Sequence, residues 1–330
     1  MSAHPRRALI TGVTGQDGAY LARLLLEKGY QVYGTVRDST RPNLANLEAV
    51  GAAGRVELRA VNLLDLSNLV AVLEAVRPQE IYNLASQSSV GRSFEQPIGT
   101  VEFNTLSTLN LLEAMRLSRS RARFYQASSS EMFGRVVRLP VDEQTAMHPV
   151  SPYGVSKAAA HWIAVNYRET HGLFCACGIL FNHESALRAP HFVTKKILSA
   201  AVDIARGRRV RLRLGNLEVA RDWGYAPHYV RAMWLMLQQD QPRDYVIATR
   251  RAHTLRRFAR RLFACLGLEL EEHLEIDPGL YRPSELEVIY GEPARARREL
   301  GWEYDLDLEG LVARLVEDEM RLRDTGRVVP

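Results

Sequence analysis

The sequence predicts an α/β protein: a doubly wound parallel sheet followed by a smaller C-terminal substrate-binding α/β domain. Three observations carry this. Short apolar runs alternate with amphipathic segments through the first half. A turn with glycines three residues apart, Gly12-Val13-Thr14-Gly15-Gln16-Asp17-Gly18, follows the first apolar run directly. After about residue 180 the alternation loosens as proline, arginine and tryptophan become more frequent. Strand–helix alternation of this kind favours parallel strands with helices on both faces.

The elements read in order. Residues 7–11 (RALIT) form a strand and about 17–28 a helix. Residues 31–36 (QVYGTV) are the second strand and 55–61 (RVELRAV) the third, followed by a helix over about 66–76. Residues 79–85 (QEIYNLA) continue the pattern, a long helix covers about 104–117, and 122–128 (ARFYQAS) is a central strand. We expect residues 1–182 to be mainly a dinucleotide-binding domain. Residues 183–330 are expected to be mainly the second domain, with some segments returning to the sheet.

Composition narrows the function classes. At 46% hydrophobic and 25% charged residues the chain is ordinary for a globular protein. No uninterrupted apolar run reaches the roughly 18 residues of a membrane span, so no membrane association is expected. The apolar run after the short basic start ends at once in glycines, which predicts a strand and not a signal peptide. Lys28, Lys157, Lys195 and Lys196 are the only lysines among 43 basic residues. The arginines are spread along the chain and alternate with acids. That predicts solvated helix faces and no nucleic-acid stripe. Cys175, Cys177 and Cys265 are too few for a disulfide framework, and the Cys-x-Cys pair has no further ligands nearby, so no metal is expected. These features fit a reducing cytoplasm.

Glycines at this spacing allow a tight turn and bring backbone N–H groups to a pyrophosphate at the start of the next helix. This is the Rossmann arrangement. The first charged residue after the second strand is Arg37, where an enzyme specific for NAD usually has an acid. That predicts NADP, although Asp38 follows immediately. The sharpest motif is Tyr153-Gly-Val-Ser-Lys157. Residues i and i+4 share a helix face, and Ser151-Pro152 mark a helix start. An ammonium beside a phenol is expected to lower its pKa, making tyrosinate a base toward a sugar hydroxyl. The run Ser128-Ser129-Ser130-Glu131 ends the central strand, where ligands bind in such sheets. Together these features identify the short-chain dehydrogenase/reductase class.

Longer segments resemble one family within it, GDP-mannose 4,6-dehydratase, over about residues 7–304. They include ALITGVTGQDGAYLARLLLEKGY, NLASQSSVGRSFEQP, FYQASSSEMFG, SPYGVSKAAAHWIAVNYRE, GILFNHES, FVTKKI, LGNLEVARDWGYAPHYV and YRPSELE. The resemblance implies that Ser129, Glu131, Tyr153 and Lys157 are catalytic, with Ser129 where the family usually has threonine. It implies cofactor contacts at Gly12, Val13, Thr14, Gly15, Gln16, Asp17 and Gly18. Arg37, Asn62, Leu63, Leu84, Ala85, Ser86, Gln87, Ser88, His183 and Arg188 complete that set. Nucleotide-sugar contacts are implied at Ser88, Ser129, Glu131, Asn182, Lys196, Asn216, Arg221, Arg282 and Glu285. Departures from the pattern fall at Asp38, at Gly99, in the loop after Ser185 and in the short approach to Arg282. The residues alone leave other roles open: Arg221 could pair with Asp222, Glu131 could cap the following turn, and His183 could be a satisfied core histidine.

The implied reaction converts a GDP-sugar, by family default GDP-mannose, to GDP-4-keto-6-deoxymannose through NADP. Alternatives are a GDP-4-keto-6-deoxymannose reductase, a dehydratase for another GDP-sugar such as a GDP-heptose, and a non-catalytic dinucleotide-binding protein. The resemblance also implies a homodimer, and in some arrangements a homotetramer. The dimer would be formed by two long helices carrying Leu106, Leu109 and Ala114 on one and Trp162, Ala164 and Val165 on the other.

Overall fold

The computed structural model describes residues 5–38, 40, 42–281 and 284–328. Its main sheet contains β1 (Arg7–Thr11), β2 (Gln31–Val36), β3 (Glu57–Ala60), β4 (Glu80–Asn83), β5 (Arg123–Ser129) and β6 (Cys175–Leu180). Shorter strands follow: β7 (Asn182–Glu184), β8 (Leu212–Leu214), β9 (Ala220–Tyr225), β10 (Asp244–Ile247), β11 (Ala252–Thr254), β12 (Leu274–Ile276) and β13 (Val288–Ile289). The main sheet runs β10-β6-β5-β4-β1-β2-β3, and every pairing in it is parallel. Strand order reverses between β1 and β4, which opens a crevice at their C-terminal ends.

The strands are apolar on both faces, as a parallel sheet covered on both sides requires. Ala8, Ile10, Tyr82 and Tyr125 pack toward the helices Gln16–Glu27 and Ala226–Met236. Leu9, Ile81 and Phe124 point the other way, toward Leu66–Val76, Pro97–Leu117 and Pro152–His171. The long helix thus begins at Pro97, seven residues before the start read from the sequence. Over its first half it buries the polar residues Thr100, Asn104, Ser107 and Thr108 while Ile98 and Leu106 stand on its outer side, so a single-face periodicity is faint there.

The second body gathers the helices Val193–Ala205, Leu255–Ala264 and Leu308–Thr325 around Leu212, Phe258, Phe263 and Leu315. Strand β9 is its spine, pairing with β11 on one edge and β13 on the other over Ala220–Asp222, and with β7 over Trp223–Tyr225. Strand β10 leaves this part of the chain to extend the main sheet beside β6. Cys175 and Cys177 are buried in β6 as free thiols, and burial pushes the Cys175 thiol up to about 12. No cluster of potential metal ligands occurs among the described residues. No described helix is long and apolar enough to cross a membrane.

Candidate active site

Strand β1 ends at Thr11, which fixes the crevice floor. Its hydroxyl donates to Asn83 Oδ1 (2.8 Å) and accepts from the amides of Leu84 and Ala85 (3.1 Å each). Gly12 then turns with φ +70°, and a Cβ there would press on the Ala85 backbone at 3.0 Å. Gly15 caps the helix Gln16–Glu27 without a side chain, leaving its first amides facing the crevice. A Cβ on Gly18 would overlap the Gly12 carbonyl and the Val13 backbone, so the helix can pack this close to the turn only with glycine. Together with Val13 and Thr14, this glycine cradle fits a dinucleotide diphosphate.

Arg37 is exposed just beyond β2, with its guanidinium 5.6 Å from the Phe103 ring centroid. The carboxylate of Asp38 turns back into its own loop and accepts from the Thr40 amide and hydroxyl (2.7 Å each). These bonds hold it below the usual carboxylate range. Asn62 caps the turn after β3 by accepting from the Leu64 amide, and Leu63 is buried with its carbonyl accepting from Asn110. Leu84, Ala85, Ser86 and Gln87 line the end of β4 half-buried, with Ser88 exposed.

Sequence reasoning missed Asn104. This buried residue accepts from the Gln87 amide (2.8 Å) and donates to the Gln87 carbonyl (3.0 Å) and Ser156 Oγ (2.9 Å). Ser156 in turn donates to the Tyr153 carbonyl at 2.7 Å. Asn104 therefore ties the loop after β4 to the helix bearing Tyr153 and Lys157. A polar residue on the sheet-facing side of a long helix was the available signal.

At the end of β5, Ser129 Oγ accepts from the Glu131 amide (3.2 Å) and caps the single helical turn Ser130–Met132. The cap is thus the serine, and the Glu131 side chain is not needed for that role. Ser151 Oγ caps Pro152–His171 by accepting from Gly154, which sets Tyr153 in the first turn and Lys157 one turn on. Both are buried. The phenol is pushed up to about 12 by burial and by the Glu131 charge, opposed by a hydrogen bond from Ser129 and by Arg188. Lys157 is pulled down to about 8 by burial, with Asp17 opposing. The expectation that Lys157 lowers the Tyr153 pKa is not met here: burial dominates, and the groups that oppose it are Ser129 and Arg188.

Asn182 stands half-buried on β7. His183 beside it is buried, with Nδ1 2.7 Å from the Phe181 carbonyl and Nε2 2.9 Å from Asp17 Oδ2. Gln16 bridges both, donating to Asp17 Oδ1 and to the His183 carbonyl while accepting from Ser185. Arg188 pairs with buried Glu184 at 3.3 Å and lies over the Phe192 ring at 3.8 Å. Lys196 is half-buried, and burial together with Arg209 and Arg213 lowers its pKa. Asn216 accepts from the Glu218 amide. Arg221 donates to the carbonyls of Ala220 and Leu286. Asp222 is held by Thr249, Arg250 and Gly291, and burial pushes it up to about 6. Glu285 is half-buried near the end of the segment leading to β13. Arg282 lies outside the described residues.

Outside the crevice, the helices Pro97–Leu117 and Pro152–His171 frame an apolar groove of about 930 Å³ lined by Ile98, Val101, Leu106, Pro149 and Val155. Trp162 is 57% exposed beyond it. Ala114, Ala164 and Val165 do not belong to this outer surface. They are buried against the sheet, because the turn that presents Trp162 outward aims its neighbours inward.

Residues 9–315 match the family model described as GDP-mannose 4,6 dehydratase. GDP-mannose 4,6 dehydratase 1 of Arabidopsis thaliana is 44% identical over 336 residues, covering 98% of this chain and 93% of that protein. The GDP-mannose 4,6-dehydratase of Yersinia enterocolitica is 42% identical over 350 residues, covering 96% and 94%. Among solved structures, the UDP-glucose 4-epimerase of Thermus thermophilus in complex with NAD is similar with a TM-score of 0.82 at 25% identity, over 96% of this chain and 99% of that one.

Proposed function

We infer the reaction from one premise: the chain belongs to the GDP-mannose 4,6-dehydratase family. It converts GDP-mannose to GDP-4-keto-6-deoxymannose and water. What supports this reading is that Ser129 and Glu131, at the C-terminal end of β5, both act on the Tyr153 phenol, one helical turn before Lys157, in a chain matched almost end to end.

The glycine cradle, the loop after β4 and Lys157 would hold a nicotinamide dinucleotide. When bound in its oxidised form, that cofactor supplies the hydride acceptor for C4, the hydride donor for C6 and a positive charge beside the phenol. Tyr153 takes the proton of the sugar 4-hydroxyl, and Ser129 hydrogen-bonds the same region. The 4-keto group acidifies C5. Glu131 takes the C5 proton and delivers a proton to the departing C6 hydroxyl, which leaves as water, and as hydride enters C6 an exchangeable proton is returned to C5, balancing the one Tyr153 took from the 4-hydroxyl. Asn182, Lys196, Asn216, Arg221, Arg282 and Glu285 bind the nucleotide-sugar, with the two arginines clamping its diphosphate.

Arg37 supports NADP as the dinucleotide, because its exposed guanidinium can meet a 2′-phosphate while Asp38 is occupied by Thr40. We assign residues 1–182 mainly to the dinucleotide and 183–330 mainly to the GDP-sugar. The apolar groove along the two long helices supports a homodimer, and a monomeric mass by light scattering would overturn it. The three free thiols fit the reducing cytoplasm. The test of the activity is incubation with GDP-mannose and a catalytic amount of NADP⁺. A 4-keto product lighter by one water supports the reading, and a requirement for stoichiometric NADPH with a keto-sugar overturns it.

A further inference from the structure

His183 stands between two groups that can only accept hydrogen bonds. Its Nδ1 is 2.7 Å from the Phe181 carbonyl oxygen and its Nε2 is 2.9 Å from the Asp17 carboxylate. A neutral imidazole has one N–H and would turn a lone pair toward one of these oxygens. The ring is pinned by stacking on Tyr229, with centroids 4.6 Å apart and planes 19° from parallel. Gln16 closes the arrangement by donating to Asp17 Oδ1 (3.0 Å) and to the His183 carbonyl (3.1 Å).

Asp17 occupies the first turn of the helix that begins at the glycine cradle. A bare carboxylate there would compete with a diphosphate for the positive end of that helix. We infer that His183 is held as an imidazolium whose charge neutralises Asp17 and thereby keeps the glycine turn open to the diphosphate of the dinucleotide. This makes His183 a positioning residue, and it rests on the cofactor reading above. The link also joins the two halves of the crevice. His183 belongs to β7, which pairs with β9, the strand of Arg221, while Asp17 belongs to the dinucleotide side.

Other charged and titratable groups around the pair are few. Arg188 opposes the imidazolium from the loop after β7, and Tyr229 covers its face. Arg188 also favours the Asp17 carboxylate, and the Asp17 charge reaches Lys157, Tyr153 and Tyr125 on the main sheet side and Tyr20 on its own helix. Burial alone would push the imidazole down, but the charge and hydrogen bond of Asp17 outweigh it and raise it. The raised value fixes the direction of the pH effect. The pair is intact below the ordinary imidazole range and is lost only as pH rises through the raised folded value. Dinucleotide affinity is therefore expected to fall as pH rises through that raised value.

Two measurements test this. In ¹⁵N NMR of the histidine-labelled wild type at pH 7, both ring nitrogens of His183 are expected to be protonated, with the signal assigned by its loss in His183→Asn. In calorimetric titrations with NADP⁺, His183→Asn should bind roughly 10- to 100-fold more weakly. Adding Asp17→Asn to that variant should restore binding to the level of Asp17→Asn alone, since no charge is then left to neutralise. A neutral ring at pH 7 would overturn the inference, as would a double variant no better than His183→Asn. If His183→Asn folds poorly, the wild-type ring signal is assigned instead by correlation to the His183 backbone, so the NMR result still stands. Absence of any dinucleotide binding by the wild type would overturn the cofactor reading itself. A neutral ring with dinucleotide binding intact would overturn this inference alone.

Discussion

At the end of β1 the residues proposed to meet a dinucleotide are nearly consecutive, Gly12 to Gly18, and they offer mostly backbone. The proposed nucleotide-sugar contacts Asn182, Lys196, Asn216 and Arg221 come from four separate segments and would offer side chains. The first region needs a precise turn and little else, so small residues dominate it. The second must place charged and amide groups on a scaffold that the chain assembles only by pairing β9 with β7 and β13. Between them lie Ser129, Glu131, Tyr153 and Lys157, positioned by two serine caps and by Asn104. Backbone sites are therefore expected to fail by steric overlap and side-chain sites by lost chemistry.

The largest effect should come from the chemistry between the two regions. Glu131→Gln keeps the shape of the side chain but cannot exchange a proton. Turnover of GDP-mannose should fall by about 10²–10⁴-fold, the usual contribution of general acid–base catalysis. Oxidation at C4 depends on Tyr153 and Lys157, so NADPH absorbance should build up when the variant meets GDP-mannose and NADP⁺. A wild-type rate would remove Glu131 from its role.

Next comes the backbone region. Gly18→Ala puts a methyl group into the Gly12 carbonyl and the Val13 backbone, which no rotamer can relieve. We expect about 3 kcal/mol of destabilisation or an equivalent loss of dinucleotide affinity, read by urea unfolding and titration. A variant as stable and as tightly binding as the wild type would show that the turn is not the rigid cradle described here.

Lys157 sharpens the contrast, because a catalytic side chain buried for function should cost stability. Its folded-state value near 8 lies below the ordinary 10.5, so the charged form is penalised at neutral pH. Lys157→Met should lose activity yet stabilise the cofactor-free protein at pH 7 by about 2–3 kcal/mol. That gain should shrink as pH rises from 8 toward 10.5, where the wild-type lysine becomes neutral in both states. A gain independent of pH would point to packing instead of charge.

The smallest effect is expected at the rim. Arg37→Ala removes an exposed guanidinium and should weaken NADP⁺ by about tenfold while leaving NAD⁺ binding nearly unchanged. Equal losses for both dinucleotides would show that Arg37 does not read the 2′-phosphate.

How much of this was legible in the sequence follows the same division. The glycine turn, the strands around it and the Ser-Pro-Tyr helix start are local patterns, and the structure has them where the sequence puts them. The early start of the helix at Pro97 was hidden because its first half buries polar residues and exposes apolar ones. The sorting of Ala114, Ala164 and Val165 into the core and of Trp162 outward depends on where the sheet lies, which a helix pattern alone does not reveal. The bond between Asp17 and His183 joins residues 166 positions apart, and no local signal announces it. Asn104 left a trace, a buried amide in a helix, but its partners Gln87 and Ser156 become neighbours only after β4 and β5 pair. The Tyr153 phenol was misjudged because burial, which sets its value, is a property of the folded crevice.

The central claim is that this crevice removes water from GDP-mannose by moving the C5 proton through Glu131. The most direct measurement is the wild-type reaction in heavy water with GDP-mannose and catalytic NADP⁺, followed by mass spectrometry and NMR of the product. The expected product is GDP-4-keto-6-deoxymannose carrying deuterium at C5, since the original C5 proton leaves through the carboxylate and C5 is refilled by an exchangeable proton. An enzyme that leaves GDP-mannose untouched but consumes NADPH with the 4-keto-6-deoxy sugar would contradict it.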